Sequence, residues 1–191
     1  MVYEAKNYDR LIGMNGFSEP LLRNHFTLYQ GYVTNTNKIY DALNSLSHEG
    51  RQATPEFAEM VRRFGWEWNG MRLHEYYFEN LGGNGQPTQA VKDAVAKDFK
   101  DFDSFQKFFL GVGAMRGIGW TVLYHDPNAK RYFVSWINEH DSAHLAGCHP
   151  ILVMDCFEHA FMLDYGVKKA DYLNAFWKNV DWNVVDKRIT R

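Results

Sequence analysis

Two long runs of helical periodicity, separated only by the polar stretch Ser47 to Ala53, oblige the first half of this chain to fold as an antiparallel helical hairpin. Ser18 followed by Pro20 has the form of an N-cap with proline in the first turn. From there Leu21, Leu22, His25, Leu28, Tyr29, Tyr32, Val33, Thr36 and Ile39 keep helical spacing to about Leu46. Thr54 and Pro55 open the second run, which carries Phe57, Met60, Val61, Phe64, Trp68, Met71, His74, Tyr77, Phe78 and Leu81. Gly65 and Gly70 weaken that helix and predict a bend or break. His25 and Tyr32 share a face of the first helix to within roughly 20°, and His25 and His74 can meet across the hairpin.

The segment GGNGQP, Gly82 to Pro87, is the clearest linker. It divides the chain into residues 1–85 and 86–191. Beyond it an amphipathic helix is expected near Thr88 to Phe99, and another from Asp103 with Phe105, Phe108, Phe109 and Val112 inward. Gly111 to Gly119 reads as a glycine-rich turn that lacks the order of a phosphate loop. Trp120 to Tyr124 and Tyr132 to Trp136 read as strands joined by the turn HDPNAKR. Ile151 to Met154 form the third strand, and Phe157 to Tyr165 take up helical spacing. Residues 1–17 read as irregular and polar. The fold class is therefore α+β: a helical hairpin followed by a small three-stranded antiparallel sheet packed with helices.

Composition excludes several classes of function. A net charge of −2 provides no basic field for nucleic acid and no polybasic membrane anchor. The N-terminus has no leader pattern and no run reaches transmembrane length, so a cytoplasmic location is expected, with no membrane partner. Cys148 and Cys156 are not in CxxC spacing and read as free thiols.

The chemistry concentrates where the third strand ends. Asp155 and His159 are four apart, near enough to point at one ion, and a carboxylate with an imidazole suits a first-row transition metal. Equally, Asp155 could cap a helix and His159 could be a satisfied core histidine. His25, His74, Asp155 and His159 lie on four separate elements with no short metal motif, so spacing alone does not decide.

A longer pattern does. GIGWTVLYHD, HPILVMDCFEHAFMLDY and KKADYLNAFWKNVDW, together with GYVTNTN and LHEYYFEN in the first half, closely resemble the iron/manganese superoxide dismutase family over roughly residues 18–190. Within the second segment, Asp155 to Met162 is similar to the family's metal-bearing DxWEHAYY stretch. The resemblance implies one iron or manganese ion per chain, held between the halves by His25, His74, Asp155 and His159, with use of either metal plausible. It implies Tyr32 lining the substrate funnel, Trp120 as an aromatic wall, and Glu158 reaching across a homodimer interface, with tetramers possible. Lys169 stands where the family has an anion-attracting arginine. The glutamine that usually lies beside the metal is replaced at its helix position by Gly70, and His140 in INEHDSAH takes the other position and the outer-sphere role.

Some positions depart from the pattern. His25 precedes Tyr32 by seven residues where the family has eight. The missing residue is read as an absent π-bulge, which leaves His25 rather than Asn24 as the ligand. Leu28 and Met162 replace a histidine and a tyrosine that bond across the dimer, and Phe157 replaces a tryptophan. His48, His125, His144 and His149 match no role and read as surface or loop residues.

The expected activity is conversion of two superoxide anions to dioxygen and hydrogen peroxide, with Tyr32 and His140 supplying protons. The alternative within the fold is a non-catalytic dimerising module. A di-iron helical protein would need paired Glu-x-x-His motifs, and a zinc hydrolase HExxH; neither is present.

Overall fold

The structure is a computed structural model that describes residues 3–189. Its N-terminal helices are α1, Glu19–His48, and α2, Pro55–Glu79, an antiparallel pair as the periodicity requires. Both start at side-chain caps: the Ser18 hydroxyl accepts from the Leu21 amide, and the Thr54 hydroxyl from the Phe57 amide. Facing residues bury Leu21, Leu22, Phe26, Tyr29 and Val33 of α1 against Met71, Leu73, Tyr77 and Phe78 of α2.

The expected break in α2 does not occur. Gly70 is buried beneath a ring of α1, and a Cβ there would lie 2.5 Å from Cδ1 of Tyr32. The intrinsic penalty of a mid-helix glycine, about 1 kcal/mol, is offset by the packing of that aromatic ring. Nothing comparable faces Gly65, whose cost the rest of the helix carries. Of the irregular segment expected over residues 1–17, residues 1 and 2 lie outside the described residues, and residues 3–17 differ from expectation. They form a short 3-10 turn, Asp9–Leu11, and bury Tyr8, Leu11 and Phe17 in the core. Apolar residues so widely spaced leave no periodic trace.

Asn80 ends α2 and is fully buried. Its amide pairs with a strand as a backbone would: Oδ1 accepts from the Val153 amide at 3.1 Å and Nδ2 donates to the Val153 carbonyl at 3.2 Å. The end of α2 is thereby joined to the last strand. The Gly82–Pro87 segment is equally pinned, since the Gly83 amide donates to the Asn179 carbonyl and the Gly85 amide to that of Val180.

Two helices follow, α3 (Gln89–Phe99) and α4 (Phe102–Gly113), capped by Thr88 and Asp101. Phe105 and Phe109 are buried, but Phe108, expected inward, is 52% exposed and lies over Phe99. The sheet contains β1 (Gly119–Asp126), β2 (Arg131–Asn138) and β3 (His149–Asp155) in the order β2-β1-β3, antiparallel throughout. Trp120 pairs with Asp155 in the register, so the centre of the sheet delivers a carboxylate beside an indole.

After β3 the expected continuous helix from Phe157 to Tyr165 is replaced by a 3-10 turn, Glu158–Ala160, and a short α5, Met162–Tyr165. The cause is local. Asp155 Oδ1 accepts from the Phe157 amide at 2.9 Å, an Asx-type turn that competes with helix, and Phe161 at φ −145° lies outside helical space. Helices α6 (Lys169–Lys178) and α7 (Trp182–Ile189) complete the chain. Among the described residues no helix is long and apolar enough to cross a membrane.

Candidate metal centre

His25 lies on the inner face of α1, His74 on that of α2, Asp155 at the last position of β3 and His159 in the turn after it. The fold brings one ligand atom from each within 4.8 Å of the others. Asp155 Oδ2 is the hub, with Nε2 of His159 at 2.9 Å, of His25 at 3.1 Å and of His74 at 3.6 Å. A shell of ligands about 2.1 Å from an ion spans about 4.2 Å, so a few tenths of an ångström of closure suffice. Asp155 and His159 meet through the tight turn rather than along a helical turn. His25 is buried and Asn24 exposed, so it is His25 that enters the cluster.

His74 shows that these residues fit a metal. Its Nδ1 lies 2.6 Å from the Gly70 carbonyl, an acceptor only, so Nδ1 carries the proton and Nε2 a lone pair. That Nε2 is buried and has no hydrogen-bond partner among the described residues. An orphaned buried acceptor costs about 1–3 kcal/mol, and an ion between His74 and Asp155 would satisfy it. The Gly70 carbonyl is then the partner that fixes the ring, as ligand histidines usually require.

Electrostatics favour the ligand forms. Burial, then the charge of the neighbouring His25, pushes the His74 imidazole well below its usual range, and burial likewise lowers His25. Burial alone would raise Asp155, but its His159 and His25 partners overcome this and hold it well below the usual carboxylate range. The cluster therefore offers neutral imidazoles at His25 and His74 and an ionised carboxylate at Asp155.

Beside it runs a hydrogen-bonded chain with a defined polarity. Trp120 Nε1–H, a donor only, donates to His140 Nδ1 at 3.0 Å. In a neutral imidazole the proton must then sit on Nε2, which donates to the Tyr32 hydroxyl oxygen at 2.7 Å. The Tyr32 O–H is thus left free to donate elsewhere. His140 is fully buried and burial lowers its pKa to about 4, consistent with the neutral form. Tyr32 is raised, by burial first and then by Asp155, so it keeps its proton. Its ring stacks on His74 with centroids 5.2 Å apart.

Phe157 stacks on both His140 (4.8 Å) and His159 (5.1 Å). Glu158 is exposed, and Lys169 donates to the Met115 carbonyl at 3.2 Å and covers the Trp136 ring. Neither enters the cluster. His144 is more than a loop histidine: it is half-buried, its Nε2–H donates to the His140 carbonyl and its Nδ1 accepts from Tyr124, both at 2.8 Å. Sequence reasoning also passed over Trp66, whose ring edge meets His140 at 4.9 Å. It sits one turn before Gly70, a signal visible only once Gly70 was known to face the site. Cys156 is bonded to Thr121 and pushed up to about 11 by burial, a protonated thiol that packs as a small apolar group.

Gly70→Ala is expected to disturb this arrangement without emptying it. The new Cβ would meet three ring atoms of Tyr32 within 2.9 Å. Overpacking of this kind costs about 1–3 kcal/mol, so thermal unfolding should fall by several degrees, while elemental analysis should still find the metal bound.

Comparison with known proteins agrees with this geometry. Residues 87–188 match the family described as iron/manganese superoxide dismutases, C-terminal domain. The chain is 35% identical to a superoxide dismutase [Fe] of Cupriavidus metallidurans over 95% of this chain and 93% of that one. It is 32% identical to a superoxide dismutase [Fe] of Aquifex pyrophilus, over 98% and 91%. A superoxide dismutase [Mn] of Haloarcula marismortui is 33% identical over 83% and 78%.

Proposed function

This chain belongs to the iron/manganese superoxide dismutase family, and from that premise we infer that it is a superoxide dismutase, converting two superoxide anions and two protons to dioxygen and hydrogen peroxide. The observation that carries the reading is the four-residue cluster, three imidazoles and one carboxylate with the lone pair of His74 unpartnered at its centre. Iron or manganese there would supply a one-electron couple between the +3 and +2 states, which zinc lacks. Relatives named for each metal are both similar to this chain, and use of either is the reading proposed.

We assign His25, His74, Asp155 and His159 as the ligands. The imidazoles contribute no charge, and the Asp155 carboxylate favours the more oxidised ion. Tyr32, accepting from His140, turns its own proton toward the site and can donate it to the reduced dioxygen species. Trp120 fixes the tautomer of His140 and closes the inner wall against bulk water. His144 holds the loop that carries His140. The whole is proposed as a two-part protein, residues 1–85 and 86–191, with the metal between the parts.

The proposed assembly is a homodimer, with a tetramer as the larger form, and the proposed location is the cytoplasm. Support for the dimer is the exposed Glu158 beside Met162 (44% exposed) and Leu163 (57% exposed). Leu28 and Met162 would make that interface apolar where the family pattern has a bonded pair. The activity is tested by assaying dismutation with metal-free, iron-loaded and manganese-loaded protein. Activity restored by either metal and absent without one is expected. A fully loaded protein with no activity would point to the non-catalytic module.

A further inference from the structure

Between the four-residue cluster and solvent stand Tyr32, Trp66 and Phe157, each partly exposed, and His159 is the one member of the cluster that is itself partly exposed. Beyond Trp66 is a guanidinium. Arg63 Cζ lies 5.3 Å from the Trp66 ring centroid, the Trp66 ring meets His140 at 4.9 Å, and His140 is bonded to Tyr32. One charged group, one indole and one imidazole thus form a continuous line from the surface to the tyrosine.

Arg63 is held from beneath. Its Nη2 lies 2.6 Å and its Nε 2.8 Å from Glu67 Oε1, and the other carboxylate oxygen accepts from the Asn35 amide at 3.4 Å. The pair is asymmetric in a way that matters: the Arg63 side chain is 48% exposed and that of Glu67 3%. Burying the negative member and leaving the positive one in water gives the pair a dipole with its positive end outward. A surface ion pair one turn apart on a helix adds little stability, but this orientation produces a local positive field on a chain whose net charge is −2. The charge of Arg63 also reaches the Tyr32 hydroxyl and the His140 imidazole, as a smaller influence than burial on each. Lys169 is engaged by the Met115 carbonyl and the Trp136 ring, and its charge acts on Cys156 instead.

We propose that Arg63, held outward by the buried Glu67, is the residue that draws the small anionic substrate to the entrance of this site and past Trp66 to Tyr32. The proposal rests on the dismutase reading and adds to it the source of the local positive field. Arg63 acts on the approach of the anion and not on the chemistry that follows, so it affects kcat/KM and leaves kcat alone. Its contribution must also be screened by salt.

Two measurements test this. The first is kcat/KM for superoxide by pulse radiolysis, with metal-loaded wild type, Arg63→Lys, Arg63→Gln and Arg63→Glu across a range of ionic strength. Wild type and Arg63→Lys should slow as salt is added. Arg63→Gln should be about 3–10-fold slower at low salt with a flatter profile, a share of what electrostatic steering provides, and Arg63→Glu should invert the slope. A rate and salt slope unchanged in Arg63→Glu would overturn the proposal while leaving the dismutase reading intact. No dismutation by loaded wild type would overturn both.

The second needs no metal. Iodide, a small monovalent anion, quenches exposed indoles, and the share due to Trp66 is the difference from Trp66→Phe. In metal-free Arg63→Glu at low salt that share should be quenched about twofold less by iodide, with quenching by neutral acrylamide unchanged. Equal iodide quenching in wild type and Arg63→Glu would contradict the proposal.

Discussion

Replacing His74 with alanine should leave a folded protein that binds almost no metal and has no measurable dismutase activity. His74 is the ligand whose geometry is most completely fixed: Nδ1–H is tied to the Gly70 carbonyl, the ring is stacked under Tyr32, and Nε2 points into the cluster without another partner. Removing an outer-shell partner of a ligand typically costs 10–100-fold in metal affinity or activity. Losing the ligand itself should cost more than about 100-fold in affinity. The fold should survive because the surrounding core of Tyr29, Tyr77, Phe78 and Trp120 is also packed on Tyr8, Phe26, Phe157 and Phe176, so the imidazole is one contact among several. Elemental analysis and far-UV circular dichroism on the same sample check both parts, and His149→Ala, an exposed histidine away from the cluster, should behave as wild type.

His140→Leu should separate binding from turnover. Leucine keeps the volume of the buried position but neither accepts from Trp120 Nε1–H nor donates to Tyr32. The metal should remain near one per chain, while activity falls by about 10–100-fold, the usual effect of an outer-shell partner. Orphaning the buried Trp120 donor should also cost about 1–3 kcal/mol of stability. His140→Gln is the informative companion, since an amide has an acceptor oxygen for Trp120 and a donor nitrogen for Tyr32 in the same polarity. Substantial recovery of activity in His140→Gln would tie the loss to the hydrogen-bond chain. Equal loss in both variants, measured at full metal occupancy, would assign it to the imidazole itself.

Much of this architecture could be read from the residues because the relevant signals are periodic. Ser18, Thr54 and Thr88 mark helix starts, and the β-branched and aromatic runs from Trp120 and Tyr132, joined by the turn at Asp126 and Pro127, mark two strands. What could not be read came from contacts between distant segments. Gly70 looks like a helix breaker until Tyr32 is packed against it. Asn80 looks like a helix end until Val153 pairs with it. The stretch after Asp155 has helical spacing, but the carboxylate that binds the Phe157 amide diverts it into a tight turn. The same diversion gives Asp155 and His159 their 2.9 Å contact, so the misread segment and the site have one cause. Arg63 and Trp66 were invisible for the related reason that His140, on a loop after β2, comes to α2 only in three dimensions.

The metal centre is tested most directly by a crystal structure of the iron- or manganese-loaded protein, with anomalous data collected at the absorption edge of that metal. One anomalous peak per chain is expected, about 2 Å from Nε2 of His25, His74 and His159 and from Oδ2 of Asp155, with the Tyr32 hydroxyl turned toward it. A peak at any other position, or one at this position lacking His25 or His74 as a ligand, would contradict the ligand assignment.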